Sequence, residues 1–199
     1  MDDGVRIETF QGQAAEPYFE DLARLRIKVF RAFPYLYEGD LAYERKYVST
    51  YARSPQSLFV LALDGEKAVG ASTAMPMREE TEEFQRPFRA AGWNVERIFY
   101  YGESVLLPEY RGGGIGVRFF EEREGFARRS GAYDFCCFSA VERPQDHPLR
   151  PADYQPLDAF WRKRGYVHRP ELRTEFSWRD LGEAEESLKP MSYWLKDLR

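Results

Sequence analysis

Residues 100–130 limit the possible fold more than any other stretch of this sequence. They predict a short apolar strand at residues 105–107, which Pro108 ends because proline cannot donate a hydrogen bond to a neighbouring strand. A glycine-rich turn follows at residues 111–116, and apolar residues at helical spacing predict an amphipathic helix over residues 114–130. The stretch therefore predicts a strand, a tight turn and a helix in direct succession.

The glycines of residues 112–116 give this turn the properties of an anion site. Glycine lets the backbone approach a ligand closely and lets several N–H groups point into one concavity. The helix start adds N–H groups without intrahelical partners and the positive end of the helix dipole. Arg111 adds a permanent charge that can bridge two phosphate oxygens. We therefore predict a phosphate-binding turn, with a purely structural connection as the alternative.

The glycine spacing excludes the two commonest nucleotide-binding loops. The turn lacks the Gly-Lys-Ser/Thr ending of a Walker-type phosphate loop. Val117 and Phe119 stand where a Gly-x-Gly-x-x-Gly motif would have its third glycine. A different kind of phosphate-binding turn is therefore expected.

The segment from Pro108 to Gly116 resembles the acyl-CoA loop of the GNAT family of N-acyltransferases. The family signature is Arg/Gln-x-x-Gly-x-Gly/Ala after a strand ending in a Pro-x-x-Arg step, and the segment fits it at every position. The resemblance implies that acetyl-CoA, as acyl donor, is bound by this turn and by backbone amides of the preceding strand. The implied cofactor-binding residues are Val105, Leu106, Leu107, Arg111, Gly112, Gly113, Gly114, Ile115 and Gly116.

Composition indicates one globular domain over residues 1–199. Hydrophobic residues make up 43% of the chain and charged residues 31%, which argues against a disordered chain. The formal net charge of −4 argues against a nucleic-acid surface, and no apolar run approaches the roughly 20 residues that span a bilayer. The adjacent Cys136 and Cys137 are not expected to form a disulfide, so we expect a reducing, cytoplasmic setting. The histidines and cysteines match no metal-ligand spacing.

Apolar periodicity predicts the element order β-α-α-β-β-β-α-β-α-β-β. This order predicts an α/β (mixed α+β) fold with one mixed sheet and helices on both faces. It is also the order of the GNAT fold, whose central sheet is mostly antiparallel. The predicted elements begin with a strand at 5–10, a helix from Pro17 to about 33–34, a helix capped by Asp40, a hairpin at 58–63 and 68–75, and a charged insert at 77–92 with a short, solvated helix. The stretch 100–130 follows, and then come a strand at 133–140, a helix at 155–163, a strand at 172–178 and a strand or strap at 191–198.

Glu103 is the candidate general base. Acyl transfer from a thioester to an amine requires a neutral amine, a polarised carbonyl and a proton for the leaving thiolate. Glu103 stands in an otherwise apolar strand, where burial raises the pKa of a carboxyl group. The alternatives are a carboxylate that faces water at a strand edge, or one that is paired with an arginine.

The general acid is harder to assign. GNAT enzymes often carry a tyrosine in a Phe-Tyr-x-x-x-Gly-Phe-like segment, and Trp161 stands at the place of that tyrosine. Because indole is not a useful proton donor, either Tyr154 or Tyr166 substitutes, or the thiolate leaves with a solvent proton. We take Tyr166 as the candidate catalytic acid.

The resemblance implies a substrate pocket opposite the CoA loop, between the segment joining the first two helices and the loop after the fifth strand. Aromatic side chains with carboxylates suit a cationic amine, and arginines suit a substrate carboxylate or phosphate. The alternative is a self-satisfied loop whose arginines pair with Asp146 and Glu142. The candidate substrate residues are Phe33, Tyr35, Tyr37, Glu38 and Asp40 on one side, and Arg143, Asp146, His147 and Arg150 on the other.

The leading hypothesis is an N-acetyltransferase that transfers an acetyl group from acetyl-CoA directly to the primary amine of a small molecule, without a covalent enzyme intermediate. The second hypothesis is an enzyme that modifies a protein N-terminus or a lysine. The third is a non-catalytic acyl-CoA-binding regulatory module, which the tryptophan at position 161 leaves open. We expect a monomer or homodimer with a small-molecule partner and with no nucleic-acid or membrane partner.

Overall fold

The computed structural model describes residues 4–199 and contains a seven-stranded sheet with helices packed against it. The strands are β1 (Val5–Gln11), β2 (Leu58–Asp64), β3 (Lys67–Pro76), β4 (Ile98–Leu106), β5 (Phe135–Val141), β6 (Val167–Trp178) and β7 (Ser187–Asp197). The α-helices are α1 (Phe19–Phe30), α2 (Leu41–Ala52), α3 (Glu82–Ala90), α4 (Ile115–Ser130) and α5 (Asp158–Lys163). The predicted order is confirmed, and α3 is the short helix predicted in the charged insert.

The strands lie side by side in the order β1-β2-β3-β4-β5-β7-β6. All neighbouring strands run antiparallel except β4 and β5, which are parallel. A parallel pair needs a crossover connection, and α4 lies in that connection. The predicted mixed, mostly antiparallel sheet is therefore confirmed.

Helices cover both faces of the central strands. Every residue of β2 except its last is buried, as expected for a continuous apolar run that is covered on two sides. On one face, the ring of Phe19 in α1 lies 5.9 Å from the ring of Phe59. On the other face, a Cβ atom placed on Gly70 would lie 3.3 Å from the ring of Phe119 in α4. The functional elements are thus held on a doubly covered core.

The first two helices differ slightly from their predicted bounds. Pro17 lies inside a 3₁₀ helix (Gly12–Tyr18), so α1 begins at Phe19 rather than at the proline. Helix α1 ends at Phe30, three residues before Phe33, at which the sequence pattern placed its end. Asp40 caps α2 as predicted, since its Oδ1 accepts from the Tyr43 amide at 2.8 Å.

The later strands are longer than their sequence patterns suggest. Strand β4 begins at Ile98, well before the apolar run at residues 105–107. The strand predicted at residues 172–178 is part of a longer strand, β6, which begins at Val167, because a shift of register between Arg169 and Arg173 absorbs the irregular stretch around Pro170. The C-terminal segment is a full strand, β7, paired with both β5 and β6.

Cys136 and Cys137 are both buried and free, which confirms that they do not form a disulfide with each other. No helix within residues 4–199 has the length and apolar character needed to cross a membrane. In the same part of the chain, no group of three or more His, Cys, Asp or Glu side chains is arranged to hold a metal ion.

Candidate active site

The turn between β4 and α4 is open, and its backbone favours glycine. Gly112 and Gly114 have φ angles of 86° and 85°, in the left-handed region that other residues rarely adopt. A Cβ atom placed on Gly112, Gly113 or Gly114 would meet no other atom within 4 Å. Protein atoms therefore do not fill the space beside this turn, and a ligand can approach its backbone closely.

The backbone N–H groups of the turn are free. The Arg111 amide donates to the Pro108 carbonyl at 3.1 Å, and the next amides that donate are those of Val117 and Arg118, both to the Gly114 carbonyl. Between them, the N–H groups of residues 112–116 donate to no acceptor within residues 4–199. Five consecutive free donors stand at the positive end of a 16-residue helix, an arrangement suited to an anion, and the anion site itself stays a prediction.

Arg111 lies exposed at the rim of this turn. Its Nε and Nη2 atoms each donate to the Leu106 carbonyl at 3.3 Å. These bonds are long, and their acceptor is uncharged. A phosphate group can replace that carbonyl, because a guanidinium forms shorter and stronger bonds with an anion.

Strands β4 and β5 separate next to the turn. Residues 98–101 of β4 pair with residues 135–138 of β5. Beyond that point, β4 is paired only with β3, and β5 is paired only with β7. Ser104 is therefore exposed although it lies within a central strand. The separation leaves a gap, called here the β4–β5 gap, in the middle of the sheet.

A β-bulge in β4 lies at the start of this gap. Ser72 pairs with Ser104 and Ala74 pairs with Tyr101, so two residues of β4 oppose one residue of β3. The bulge places Tyr101 and Ser104 on the same face, where both contact Arg123 of α4. It also turns the side chain of Glu103 to the opposite face, against α1.

The register decides which amides of β4 reach the gap. The Leu107 amide donates to the Val69 carbonyl at 3.0 Å, so it is not free, and the expectation for that amide is corrected. Because bonded and non-bonded pairs alternate along an antiparallel ladder, the Val105 amide also faces β3. The amides of Ser104 and Leu106 point the other way, into the β4–β5 gap. Sequence reasoning missed Ser104, because an amide's direction depends on pairing and not on residue type.

Glu103 is buried and bound to a cation. Its side chain is 2% exposed, and Oε2 accepts from Nη1 of Arg26 at 2.6 Å. The same guanidinium also binds the buried carboxylate of Glu44. Burial raises the pKa of Glu103, while Arg26 acts to lower it. The predicted burial is thus confirmed, together with the arginine pairing given as its alternative.

Glu80 is a second carboxyl group on this face, and the sequence reading missed it. Its Oε1 accepts from the Tyr51 hydroxyl at 2.6 Å, and burial raises its pKa to about 7. The Tyr51 hydroxyl lies over the bulge, where it would clash with a Cβ atom placed on Gly102. The neighbouring acidic residues are exposed, as predicted for a solvated surface, but Glu80 is not. Those exposed residues are Glu79, Glu82 and Glu83.

Arg123 is a buried cation on the α4 side of the sheet. Its side chain is 1% exposed, and its guanidinium lies 4.0 Å from the centre of the Tyr101 ring. A signal for this burial exists in the sequence, because Arg123 shares a helical face with the apolar Phe119 and Ala127. Its hydrogen-bond acceptors are the carbonyls of Thr73, Glu103 and Phe119 and the hydroxyl of Ser104.

Tyr166 is buried, and its hydroxyl donates to Oε1 of Glu124 at 3.0 Å. Burial raises the pKa of Tyr166 well above the usual value. Trp161 packs edge-on against Phe138 and Trp194, with ring centres 5.0 Å apart in both cases. This geometry does not favour proton donation by either residue, and an acid role for Tyr166 stays a prediction.

The two loops predicted to line the substrate pocket are in contact with each other. The ring of Phe33 lies 5.6 Å from that of His147 and 4.7 Å from that of Tyr154. The guanidinium of Arg150 lies over the rings of Phe33 and Tyr154. Residues from the α1–α2 connection and from the loop after β5 thus form one aromatic cluster.

Arg143 holds the α1–α2 connection in place. Its guanidinium binds both carboxylate oxygens of Asp180, at 2.7 and 2.8 Å, and donates to the carbonyls of Pro34 and Tyr35. The alternative pairing with Asp146 or Glu142 is therefore wrong for Arg143. Tyr35 packs against Phe30, and burial raises its pKa to about 12. Tyr37 forms a backbone bridge with Asp180.

No family model matches this sequence, and no curated protein sequence matches it either. Solved structures do match it. An acetyltransferase of the GNAT family from Streptococcus pneumoniae has a TM-score of 0.58 at 15% identity, over 97% of this chain and 98% of that one. A ribosomal-protein-alanine N-acetyltransferase from Brucella melitensis has a TM-score of 0.60 at 15% identity, over 96% and 99% of the two chains.

A third match is yncA from Salmonella typhimurium, solved with its cofactor acetyl-CoA. Its TM-score is 0.61 at 8% identity, over 98% of this chain and 95% of that one. Likeness at such low identity establishes the fold, over nearly the whole length of both chains. This chain has the fold of the GNAT acetyltransferases.

Proposed function

We propose that this chain is a GNAT-family N-acetyltransferase that transfers the acetyl group of acetyl-CoA to the primary amine of a small molecule. The observation that carries the proposal is the row of five free N–H groups at residues 112–116. The β4–β5 gap begins beside this row and leads into the centre of the sheet. A diphosphate on the turn and an extended acyl-bearing arm in the gap suit these two features. The complex of yncA with acetyl-CoA, in the same fold, supports this choice of acyl donor.

The binding roles follow from the direction of each donor. The free amides of the turn bind the diphosphate, and Arg111 exchanges the Leu106 carbonyl for a phosphate oxygen. The amides of Ser104 and Leu106 are the strand donors available to the arm and to the thioester carbonyl. Val105 and Leu107 are left out of this role because their N–H groups face β3.

Glu103 is the proposed general base. It lies at the bulge beside the gap, on the face opposite α4, where an amine can reach the thioester from the other side of the sheet. Because burial raises its pKa, Glu103 binds a proton more readily than an exposed carboxylate does. The neutral amine then attacks the carbonyl carbon of the acyl donor.

The acceptor side carries more negative than positive charge. Two buried carboxylates, Glu103 and Glu44, share the guanidinium of Arg26. The ring of Tyr47 lies 3.9 Å from that guanidinium, so the environment is aromatic as well as acidic. Such surroundings favour an ammonium group. We propose that Phe33, Tyr35, Tyr37 and His147 line the outer part of this side, with Arg143 positioning their loop.

The proposal is tested by calorimetric titration with CoA and by thiol release from acetyl-CoA in the presence of a panel of amines. We expect wild-type binding and turnover with free amines. Arg111→Ala weakens CoA binding about tenfold, because a charge-assisted bond to phosphate is lost. Arg129→Ala is the matched control: this exposed arginine lies in the last turn of α4, and its removal leaves binding unchanged.

Each contrary outcome has a separate meaning. A chain that binds no CoA refutes the proposal. Binding without thiol release for any acceptor indicates a non-catalytic acyl-CoA-binding module. Turnover with peptides and none with free amines indicates a protein acceptor.

The base assignment is tested by the pH dependence of kcat/KM. Glu103→Gln lowers kcat by about a hundredfold or more and removes the acidic limb of the profile, because no carboxylate remains to take the proton. Glu44→Gln is the control, since it changes the charge around Arg26 without removing the proposed base. If the acidic limb disappears in Glu80→Gln and persists in Glu103→Gln, the base is Glu80.

A further inference from the structure

Arg123 is a buried cation with no anionic hydrogen-bond partner among residues 4–199. It is 1% exposed, and its hydrogen bonds all end on oxygen atoms that carry no formal charge. A buried charge is normally paired, because an unpaired one is strongly destabilising. Burial lowers the pKa of Arg123, although a guanidinium remains protonated in a protein. An anion that forms next to this cation is therefore stabilised.

Ser104 is the only one of these four acceptors that has a proton to donate. Its Oγ accepts from Nη2 of Arg123 at 2.9 Å, so its own O–H points elsewhere. Within the described part of the chain, this hydroxyl donates to no acceptor. Ser104 is exposed, and its backbone N–H also points into the β4–β5 gap. The hydroxyl and the backbone N–H of Ser104 are thus both available to the β4–β5 gap, next to the buried guanidinium of Arg123.

We propose that the Ser104 hydroxyl, polarised by Arg123, donates a hydrogen bond to the sulfur of the departing CoA thiolate. This inference deepens the proposed function and rests on it. The amine nitrogen forms the new C–N bond, the C–S bond breaks, and its electron pair goes to sulfur. The amine's proton goes to the carboxylate of Glu103, and the thiolate takes up a proton from water after it leaves. Ser104 keeps its own proton, and Arg123 acts through it as a positioning residue.

Ser104 is the exposed donor beside the gap, whereas the Tyr101 hydroxyl, which has no hydrogen-bond partner among the described residues, is buried. The hydroxyl of Tyr166 already donates to Glu124, which also binds Lys196. Glu103 is bound to Arg26 on the opposite face. Burial raises the pKa of three neutral titratable groups close to Arg123, so these groups stay uncharged near neutral pH. They are Tyr101 of β4, Cys136 of β5 and Tyr166 just before β6.

The test compares CoA with desulfo-CoA, which lacks the thiol, and needs no knowledge of the acceptor amine. Affinities are measured between about pH 6 and about pH 10, a range that includes the pKa of about 8.5 of a cysteine thiol and extends above it, and thiolate formation in the complex is followed by ultraviolet absorbance. In the wild type, CoA affinity rises with pH and desulfo-CoA affinity does not. Ser104→Ala raises the midpoint of thiolate formation by about one pH unit, a tenfold effect, and leaves desulfo-CoA affinity unchanged.

Three further variants separate this role from a structural one. Ser104→Thr keeps the hydroxyl and restores the wild-type midpoint. Ser139→Ala removes a strand serine that is bonded to the Tyr100 hydroxyl and leaves the midpoint unchanged. Arg123→Met raises the midpoint as Ser104→Ala does. If Arg123→Met does not fold, the midpoints of Ser104→Ala and Ser104→Thr alone test whether the Ser104 hydroxyl stabilises the thiolate.

The inference is overturned if Ser104→Ala keeps the wild-type midpoint, or if the wild type binds CoA and desulfo-CoA equally at every pH. Either result leaves the proposed function standing. A wild type that binds neither ligand refutes the proposed function, and this inference with it.

Discussion

Glu80→Gln is predicted to stabilise the fold at alkaline pH. The ordinary pKa of this carboxyl is 4.5, and burial raises it to about 7 in the folded chain. The folded state therefore binds a proton that the unfolded state has already released between these two pH values. Stability is lost as the pH rises through this window, because the folded chain must hold a poorly solvated carboxylate. Glutamine imitates the protonated carboxyl and avoids that loss.

The size of the effect follows from the two pKa values. Linkage gives about 3 kcal/mol at about pH 8 and less than about 1 kcal/mol at about pH 5. Glu80 is only half-buried by surface area, so solvent screening reduces the effect, and we expect about 1–3 kcal/mol at the higher pH. Glutamine keeps an oxygen for the Tyr51 hydroxyl and loses the weaker acceptor of the Thr81 amide, which lies at 3.3 Å. The difference in stability between wild type and Glu80→Gln at low pH measures the small loss that comes from this missing hydrogen bond.

The measurement is urea unfolding of the wild type, Glu80→Gln and Glu79→Gln at about pH 5 and about pH 8. Glu79 is the matched control, since it is the exposed neighbour of Glu80 and no comparable gain is expected from its replacement. The reasoning is refuted if Glu80→Gln gains no more stability than Glu79→Gln between the two pH values.

Gly114→Ala should lower the free energy of unfolding by about 1–2 kcal/mol, because alanine at φ 85° is strained. Gly113→Ala, at a negative φ with open space around it, should change stability by less than about 0.5 kcal/mol; equal shifts in thermal unfolding would contradict the assigned backbone conformations. Arg143→Met should cost about 3 kcal/mol, because two backbone carbonyls lose their buried donor and the carboxylate of Asp180 keeps only a longer contact with Lys189, at 3.6 Å. Arg173→Met removes only an exposed ion pair and should cost less than about 1 kcal/mol in urea unfolding. Similar losses for both arginines would contradict the idea that Arg143 holds the α1–α2 connection in place.

The glycine turn was the most predictable part of the site. Its spacing, the strand before it and the helix after it are all local features, so residues 111–116 predicted an anion site that the free amides now support. The cap at Asp40 and the hairpin of β2 and β3 were predictable for the same reason. Each depends on residues that are close together in the chain.

Which charged residues are buried was harder to predict from the sequence. Four acidic residues stand close together in the insert that follows β3, and only packing against α2 selects Glu80 for burial. The residue that binds the predicted base, Arg26, lies 77 positions from Glu103 in the sequence. Arg123 has an apolar helical face as its signal, but the sequence does not reveal that its partners on the sheet are uncharged.

By itself, the sequence predicted the order of strands and helices and the glycine turn between β4 and α4, and it singled out Glu103 as a carboxyl in an apolar strand. These follow from periodicity, glycine placement and an apolar neighbourhood, all of which act over short distances along the chain. Only the tertiary structure decided where β4 and β5 separate, which amides face the gap and which charges lie beside it. The physical reason is that hydrogen-bond direction and desolvation depend on strand register and on packing between distant segments, which residue identity alone does not specify.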